Sequence, residues 1–371
     1  MLKYRPLSET VKKGWSSVAS QISNGERPTI ADVAAAAGVS RSTASRAMGG
    51  SGYVSADARE RVWEAARRLA FEPNELARSL RLGASTAIGV VLPDVANAFY
   101  ATALKAAQQV LERAGYHVLV VNTDRSPSRE RSELQMLRAK RVIGLLVSSY
   151  GGYEDIGVPT VFFDDVVPRA GLGGVALDNL GGIQLLVDHL ARDHAHKRIA
   201  YVGPPEVNEE GMAPRVFVGR ERLEGFRSAV GDAGLPLPPR FVRTTDARGF
   251  HIGAREAARD LLDLSTPPTA IIAGSDTIGL GLLEMMRELG VRVPEDVALV
   301  SFDEPPYANL IDPPITSLDR HDAELGRRAA ELLLGALTAD RKTDGADDEA
   351  PTVRVPLQLQ IRRSCGCGDR A

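Results

Sequence analysis

Cysteine is nearly absent from this 371-residue chain, which carries only Cys365 and Cys367. Two thiols so close together supply no disulfide framework, and that scarcity fits a reducing compartment. Aromatic residues are sparse at 5%, so aliphatic side chains must fill the interior. No apolar run approaches the roughly 18 residues a membrane span needs. The opening stretch, MLKYRPLSETVKKGWSSVAS, holds charges where a secretory signal has its apolar segment. These absences predict a soluble cytoplasmic protein, nucleoid-associated if it binds DNA, with no membrane contact. Enzyme signatures are missing too: there is no phosphate-binding P-loop and no Ser/His/Asp ordering. The GLGG at 171–174 lacks the strand and helix context of a dinucleotide fingerprint. The expectation is therefore no enzyme and no cofactor.

What the chain does have is unevenly placed charge. The formal net charge is −3, which alone argues against a nucleic-acid partner. Residues 27–83, however, hold nine arginines against six carboxylates, and the excess of acid lies beyond them. A cationic head on an anionic body fits a head that meets an anionic partner. The length suggests two or three domains, and 44% hydrophobic residues are ample for packed cores.

The head reads as three short helices. Thr29 with Asp32 three residues on resembles a capping box and predicts a helix over about 30–37. Gly38 supplies a left-handed turn, Ser40 caps a second helix to about Met48, and Ser55 caps a third that Pro73 stops. Val62, Ala65, Ala66 and Leu69 form one apolar stripe on that third helix. Two helices joined by a short Gly-containing turn make a helix-turn-helix. The second helix then presents Arg41, Ser42, Thr43, Ser45 and Arg46, with Ala44 and Ala47 turned inward. Arginine reads guanine edges bidentately, and Ser or Thr takes bases or phosphates. Spacing alone fits either a DNA reader or a small helical subdomain with solvated arginines. The following NELARSLRLG (74–83) is a good helix sequence too short to stand alone. It reads as a linker that is helical when docked, with Leu80 able to wedge between base steps in a minor groove.

The run TIADVAAAAGVSRSTASRAMGG…VSADARERVWEAARRLAFEPNELARSL resembles the headpiece of the LacI/GalR family of bacterial transcriptional regulators. The resemblance implies that Arg41 and Ser42 read operator bases. It gives Thr29, Ser40, Thr43, Ser45 and Arg46 to phosphates and neighbouring bases, and Tyr53 to the backbone. Asn74, Ala77, Arg78 and Leu80 belong to the hinge, with Ala77 and Leu80 entering the minor groove. Gly49-Gly50 departs from the family, where Asn usually comes first, and residues 1–26 form an extension outside the family pattern. The implied domains are 27–73 for the headpiece, 74–84 for the hinge helix, and 85–371 for effector binding and dimerisation.

From residue 86 short apolar runs alternate with helical patterns. AIGVVLPD, HVLVVNTD and GLLVSS come first, then RIAYVGPP, TAIIAGSD and VALVSFDE. Helices are predicted at 98–114, 127–140, 219–233, 276–289 and 321–337. The alternation predicts two parallel sheets with right-handed crossovers, facing one another across a cleft, with ligands beyond the carboxyl ends of the strands. Polar residues gather at those ends: Asp94, Asn97, Asp124, Ser148, Asp164, Asp165, Asp178, Ser275, Asp276, Asp303 and Glu304. Phe99, Tyr100 and Phe250 offer flat apolar faces, and Arg222 a forked donor. Carboxylates that accept from hydroxyls, an arginine that donates and an aromatic face suit a polyhydroxylated ligand. Singly, each Asp or Asn at a strand end is equally an ordinary turn or cap residue.

The family resemblance extends through residue 363, carried by HKRIAYVG, RLEGFRSAV and DTIGLGLLEMMRELGVRVPEDVALVSFDEPPYANLIDPPITSL. It implies a periplasmic-binding-protein-like effector domain of two parallel-sheet lobes behind an all-α head. Asp164, Arg222, Phe250, Ser275 and Asp303 would line the cleft, joined in the effector set by Asn97, Phe99, Ser148 and Asp276. Ser275 replaces the usual Asn, and Phe250 stands where some sugar-binding members have Trp. The expected function is a sequence-specific repressor controlled by a small effector, sugar-like in the favoured reading. It would act as a homodimer or tetramer on near-palindromic operator DNA. A corepressor-dependent regulator responding to a purine is the nearer alternative, and a sugar-binding protein with no DNA role the remote one. His189, His194 and His196 bridge a helix end and a strand start, so they read as packing residues, not metal ligands. CGC at 365–367 reads as free thiols, and 338–351 as a solvated loop before a last strand.

Overall fold

The computed structural model describes residues 28–49, 53–71, 85–165, 173–204, 218–245, 249–305, 308–338 and 352–368. The chain divides into two compact units, Met1–Ala84 and Ser85–Ala371.

The first unit holds three helices, α1 (Ile30–Ala37), α2 (Arg41–Gly49) and α3 (Ala56–Arg68). At the start of α1 the Asp32 carboxylate accepts from both the Thr29 amide and its hydroxyl, at 2.7 and 2.8 Å. At its end Gly38 adopts φ +66°. Val39 N donates to Ala34 O and Gly38 N to Ala35 O, the paired bonds of a Schellman turn that satisfy otherwise orphaned carbonyls. The Ser55 hydroxyl caps α3 by accepting from Ala58 N. Val33, Ala34, Ala37, Ala44, Ala47, Val62, Ala65 and Ala66 form the core. Such small side chains let the helices approach closely but bury little area, so this unit is thinly stabilised.

The second unit contains two six-stranded sheets. Sheet one, in the order β11-β5-β4-β3-β1-β2, is built from β1 (Ala87–Leu92), β2 (His117–Asn122), β3 (Gly144–Val147), β4 (Thr160–Phe163), β5 (Gly174–Leu177) and β11 (Thr352–Val355). Sheet two, ordered β12-β10-β9-β8-β6-β7, is built from β6 (Ile199–Gly203), β7 (Val242–Thr244), β8 (Ala270–Ala273), β9 (Ala298–Asp303), β10 (Thr316–Asp319) and β12 (Gln358–Gln360). The pairings are parallel except β10 with β12. Strands buried on both faces, such as β1, β3 and β6, explain continuous apolar runs in the sequence, whereas the edge strand β2 leaves Leu119 and Val120 exposed. Ile199 and Tyr201 of β6 enter one core while Ala200 and Val202 enter another. In β1, Ile88, Val90 and Leu92 point one way and Val91 the other.

Helices cover both faces: α4 (Ala98–Arg113), α5 (Pro127–Ala139), α6 (Asn179–Asp188), α7 (Val218–Asp232), α8 (Phe250–Leu262), α9 (Asp276–Glu288) and α10 (Asp322–Thr338). Helix α8 is not among those the sequence pattern predicts, and of α6 only the end, near His189, is anticipated. The chain crosses between lobes three times. After β5 of sheet one, α6 packs on β9 and β12 of sheet two; after β10 of sheet two, α10 returns to β3, β4 and β5. The third crossing joins β11 to β12. The hinge residues 74–84, with Asn74, Ala77, Arg78 and Leu80, lie outside the described residues, as do 1–27 and most of the solvated loop 338–351.

Candidate functional site

The head presents its polar residues on one helix. Ser40 Oγ accepts from Thr43 N at 3.1 Å, capping α2, and lies 2.8 Å from both Ser42 Oγ and Thr43 Oγ1. Ala44 and Ala47 are buried, which turns Arg41, Ser42 and Arg46 outward with Thr43 and Ser45 partly exposed. Arg46 Nε donates to Ser42 O, which braces its long side chain along the helix. The Tyr53 side chain is 90% exposed. An exposed large ring with no packing role is what a backbone contact to a partner would use. Thr29 is exposed at the N-terminus of α1, where the Asp32 carboxylate takes its amide and hydroxyl.

The second constellation is a cavity with about 100 Å³ of water-accessible space at the carboxyl ends of strands from both sheets. Of the residues proposed from sequence, Asn97, Phe99, Asp164, Arg222, Phe250, Ser275, Asp276 and Asp303 line it. Ser148 does not. It is fully buried, and its hydroxyl approaches the Tyr100 phenol oxygen at 3.5 Å from behind the wall. Asn97 caps α4 and Ser275 caps α9, each accepting a backbone N–H. The strand-to-helix turns thus fix the cavity rim.

The remaining strand-end carboxylates have ordinary structural duties. Asp178 caps α6, Asp94 pairs with Arg125 at 3.0 Å, Asp124 pairs with Arg129, and Glu304 pairs with Arg362. Asp165 does reach the cavity wall, where it accepts from Val218 N at the start of α7.

Two guanidinium groups organise the floor. Arg222 Nη1 and Arg320 Nη1 converge on Asp303 Oδ1 at 3.2 and 2.8 Å. Arg222 also donates to Asn179 Oδ1 and Gly274 O, and its guanidinium lies 3.7 Å from the centre of the Phe302 ring. Arg320 lies over Phe99 at 4.5 Å, and Arg125 over Phe250 at 5.3 Å. Arg320 was not singled out from sequence: it follows β10 in no recognisable pattern, and only the fold brings it to Asp303.

Tyr100 donates to Asp164 Oδ2 at 2.9 Å. Asp164 itself holds a left-handed backbone, φ 64°, strain that a non-glycine residue keeps only where its surroundings enforce it. Burial pushes the Asp164 carboxyl up to about 6, against the pull of Arg222 and the Tyr100 hydroxyl. Burial and then Asp164 raise Asp165; burial and then Asp303 raise Asp276. Burial opposes the charge on Arg320, but Asp303, Asp322, Asp276 and Asp164 outweigh it and hold the guanidinium protonated. The cavity therefore offers buried acceptors and forked donors beside aromatic faces.

A cationic helical reader and a two-lobed α/β unit with a polar interlobe cavity define a DNA-binding regulator with a ligand-sensing body. Residues 29–74 match the model of bacterial regulatory proteins of the lacI family, and residues 187–365 that of a periplasmic binding protein-like domain. The ribose operon repressor of Halalkalibacterium halodurans is 32% identical over 348 residues, covering 92% of this chain and 98% of the relative. The transcriptional repressor CytR of Escherichia coli K12 is 29% identical over 325 residues, covering 86% and 92%. The structure of the transcriptional regulator CelR in complex with cellobiose is 30% identical, covers 91% of this chain and 100% of its own, and superposes with a TM-score of 0.65. The chain belongs to the LacI family of bacterial regulatory proteins and is a DNA-binding transcriptional regulator.

Among the described residues no helix is long and apolar enough to cross a membrane. The histidines and cysteines read separately from sequence are not separate in space. His189, His194, Cys365 and Cys367 bring their donor atoms within 4.8 Å of one another. His196 stands aside and pairs with Thr269 Oγ1 at 3.0 Å.

Proposed function

We propose that this regulator is a repressor whose hold on operator DNA is set by a small polyhydroxylated metabolite in the interlobe cavity. One observation carries the reading: Asp164, Asp276 and Asp303 converge with Arg222 and Arg320 beside Phe99 and Phe250. The carboxylates accept hydroxyls in the plane of a sugar ring, the guanidinium groups donate to its oxygens, and the aromatic rings cover its apolar face. A ribose operon repressor and a cellobiose complex among the relatives support the same class of effector.

In this reading residues 27–73 read DNA, 74–84 form a hinge and 85–371 bind effector and dimerise, in the cytoplasm. Arg41 and Ser42 read bases; Thr29, Ser40, Thr43, Ser45 and Arg46 take phosphates and neighbouring bases, and Tyr53 the backbone. A single reader of this size binds weakly, so the operator is a near-palindrome held by a homodimer. The three interlobe crossings act as the pivot on which effector binding changes the lobe angle.

The test is selection of random duplex DNA by the full-length protein, with residues 85–371 as control. Enrichment of a near-palindrome by the full chain alone supports the reading and provides a probe. Sugars, sugar phosphates and purines are then screened for loss of that complex. Gain of binding with a purine would replace the induced repressor by a corepressor-dependent one. No enrichment with any metabolite pool would sink the DNA reading.

A further inference from the structure

The side chains of His189, His194, Cys365 and Cys367 stand apart from the effector cavity. His194 precedes β6, whose carboxyl end leads to Pro204 at the cavity wall. Ser364, next to Cys365, accepts from Leu299 N through its carbonyl and donates its hydroxyl to Leu299 O, near the start of β9, whose far end is Asp303. The cluster therefore sits at the amino edge of sheet two, and neither the DNA reader nor the effector site uses it.

We propose that these four residues form a closed zinc-class metal site that staples the C-terminal segment to the end of α6. Two thiolates and two imidazoles make a Cys2His2 set, matched to a borderline-soft divalent cation and unsuited to magnesium or calcium. His194 Nε2 lies 3.2 Å from Cys367 Sγ, and His189 Nε2 lies 4.0 Å from the same sulfur. All four donor atoms fall within 4.8 Å. Tetrahedral zinc with ordinary Zn–S and Zn–N lengths needs ligand separations of about 3.3–3.8 Å, so side-chain shifts of about 1 Å close the site.

Local backbone is shaped to this end. Residues five apart on an α-helix point about 140° away from each other. The chain instead makes a π turn over His189–Asp193 before His194, a widening that is rare and concentrated at functional sites. That turn brings the two imidazoles to 4.8 Å between ring centres. Between the cysteines Gly366 takes φ +96°, a left-handed conformation that lets the short CGC segment turn both sulfurs inward. The outer shell is present as well. Asp193 Oδ2 lies 2.8 Å from His189 Nδ1, which fixes the tautomer that leaves Nε2 for a metal. His189 and Cys365 are buried. Four protein ligands leave no open position, so the role is structural. The anchored segment follows directly on β12, the far end of the third interlobe crossing.

The test uses the full-length protein purified without chelator, its metal measured by plasma mass spectrometry and its thiols by titration. The expected result is one zinc per chain and two thiols that react only after chelation. Cobalt substituted for zinc should show thiolate-to-metal charge-transfer bands and the absorption of a tetrahedral ion. Zinc should raise the melting temperature of the reduced apoprotein, and Cys367→Ser and His194→Ala should each weaken uptake by more than the about 100-fold that outer-shell changes cost. Cys367 is only partly buried, so its serine variant tests the site even if Cys365→Ser fails to fold. Failure of the reduced apoprotein to bind zinc at micromolar concentration would overturn the proposal. So would undiminished binding by a folded Cys367→Ser/His194→Ala variant, or a Cys365–Cys367 disulfide in freshly isolated protein that takes up no metal after reduction.

Discussion

At the scale of the residue, Asp164 concentrates the chemistry of the effector cavity. In the unfolded chain its carboxyl ionises near 3.8, and burial raises it to about 6 in the fold. A raised folded value means that its contribution to stability is complete below the unfolded value and disappears as pH rises through about 6. Above that pH the cavity holds an ionised, poorly solvated carboxylate, which a hydroxyl-bearing effector stabilises by donating to it. Effector affinity should therefore increase from pH 5 to pH 7, with proton release on binding at the acid end. Calorimetry in buffers of different ionisation enthalpy measures this directly, and Asp164→Asn should flatten the profile. On the DNA side, Arg41 is exposed at the start of α2 beside Ser42. Arg41→Ala should cost about 1–3 kcal/mol on the selected operator and little on random duplex. Equal losses on both would reduce Arg41 to a phosphate contact.

At the scale of the element, α10 carries its own control experiment. A Cβ on Gly326 would stand 2.0 Å from the Ala103 carbonyl oxygen of α4, whereas one on Gly335 would meet nothing within 4 Å. Gly326→Ala should lower stability by about 1–3 kcal/mol or more through overpacking. Gly335→Ala should raise it by about 0.5–1 kcal/mol through helix propensity. Urea denaturation of the two variants distinguishes these signs.

The same glycine logic shows why some elements were legible and others were not. Strands β1, β6 and β8 are buried on both faces, so their sequences are unbroken apolar runs. The capping box at Thr29 and the turn at Gly38 name their own conformations. Helix α6 carries Gly181-Gly182 in its first turn, a poor helix signal, and a Cβ at Gly182 would lie 2.4 Å from Leu357. The glycine is there for close packing. Helix α8 follows Gly249 with no side-chain cap and so lacks a start signal. Arg320 and the His/Cys cluster were illegible for a different reason. Their partners lie far away along the chain, and no local periodicity encodes a contact that only the sheet order creates.

At the scale of the whole molecule, sensing and DNA reading must be linked by one coupling free energy. Couplings of this kind typically amount to about 1–3 kcal/mol, or 5- to 150-fold in affinity. Saturating effector should weaken operator binding by a factor in that range, and operator DNA should weaken effector binding by the same factor. Unequal factors, measured by fluorescence anisotropy and calorimetry on one preparation, would rule out a simple two-state link. The three interlobe crossings carry a further consequence for how the protein is made. Sheet one begins at Ala87 but is completed by β11 at Thr352–Val355, and it is covered by α10, which follows β10 of sheet two in the chain. During synthesis the DNA-reading helices precede both lobes, and five of the six strands of sheet one are made long before its edge strand β11 and its covering helix α10. A nascent or prematurely terminated chain would therefore have a reader with no working sensor and an unpaired strand edge, a species prone to aggregate.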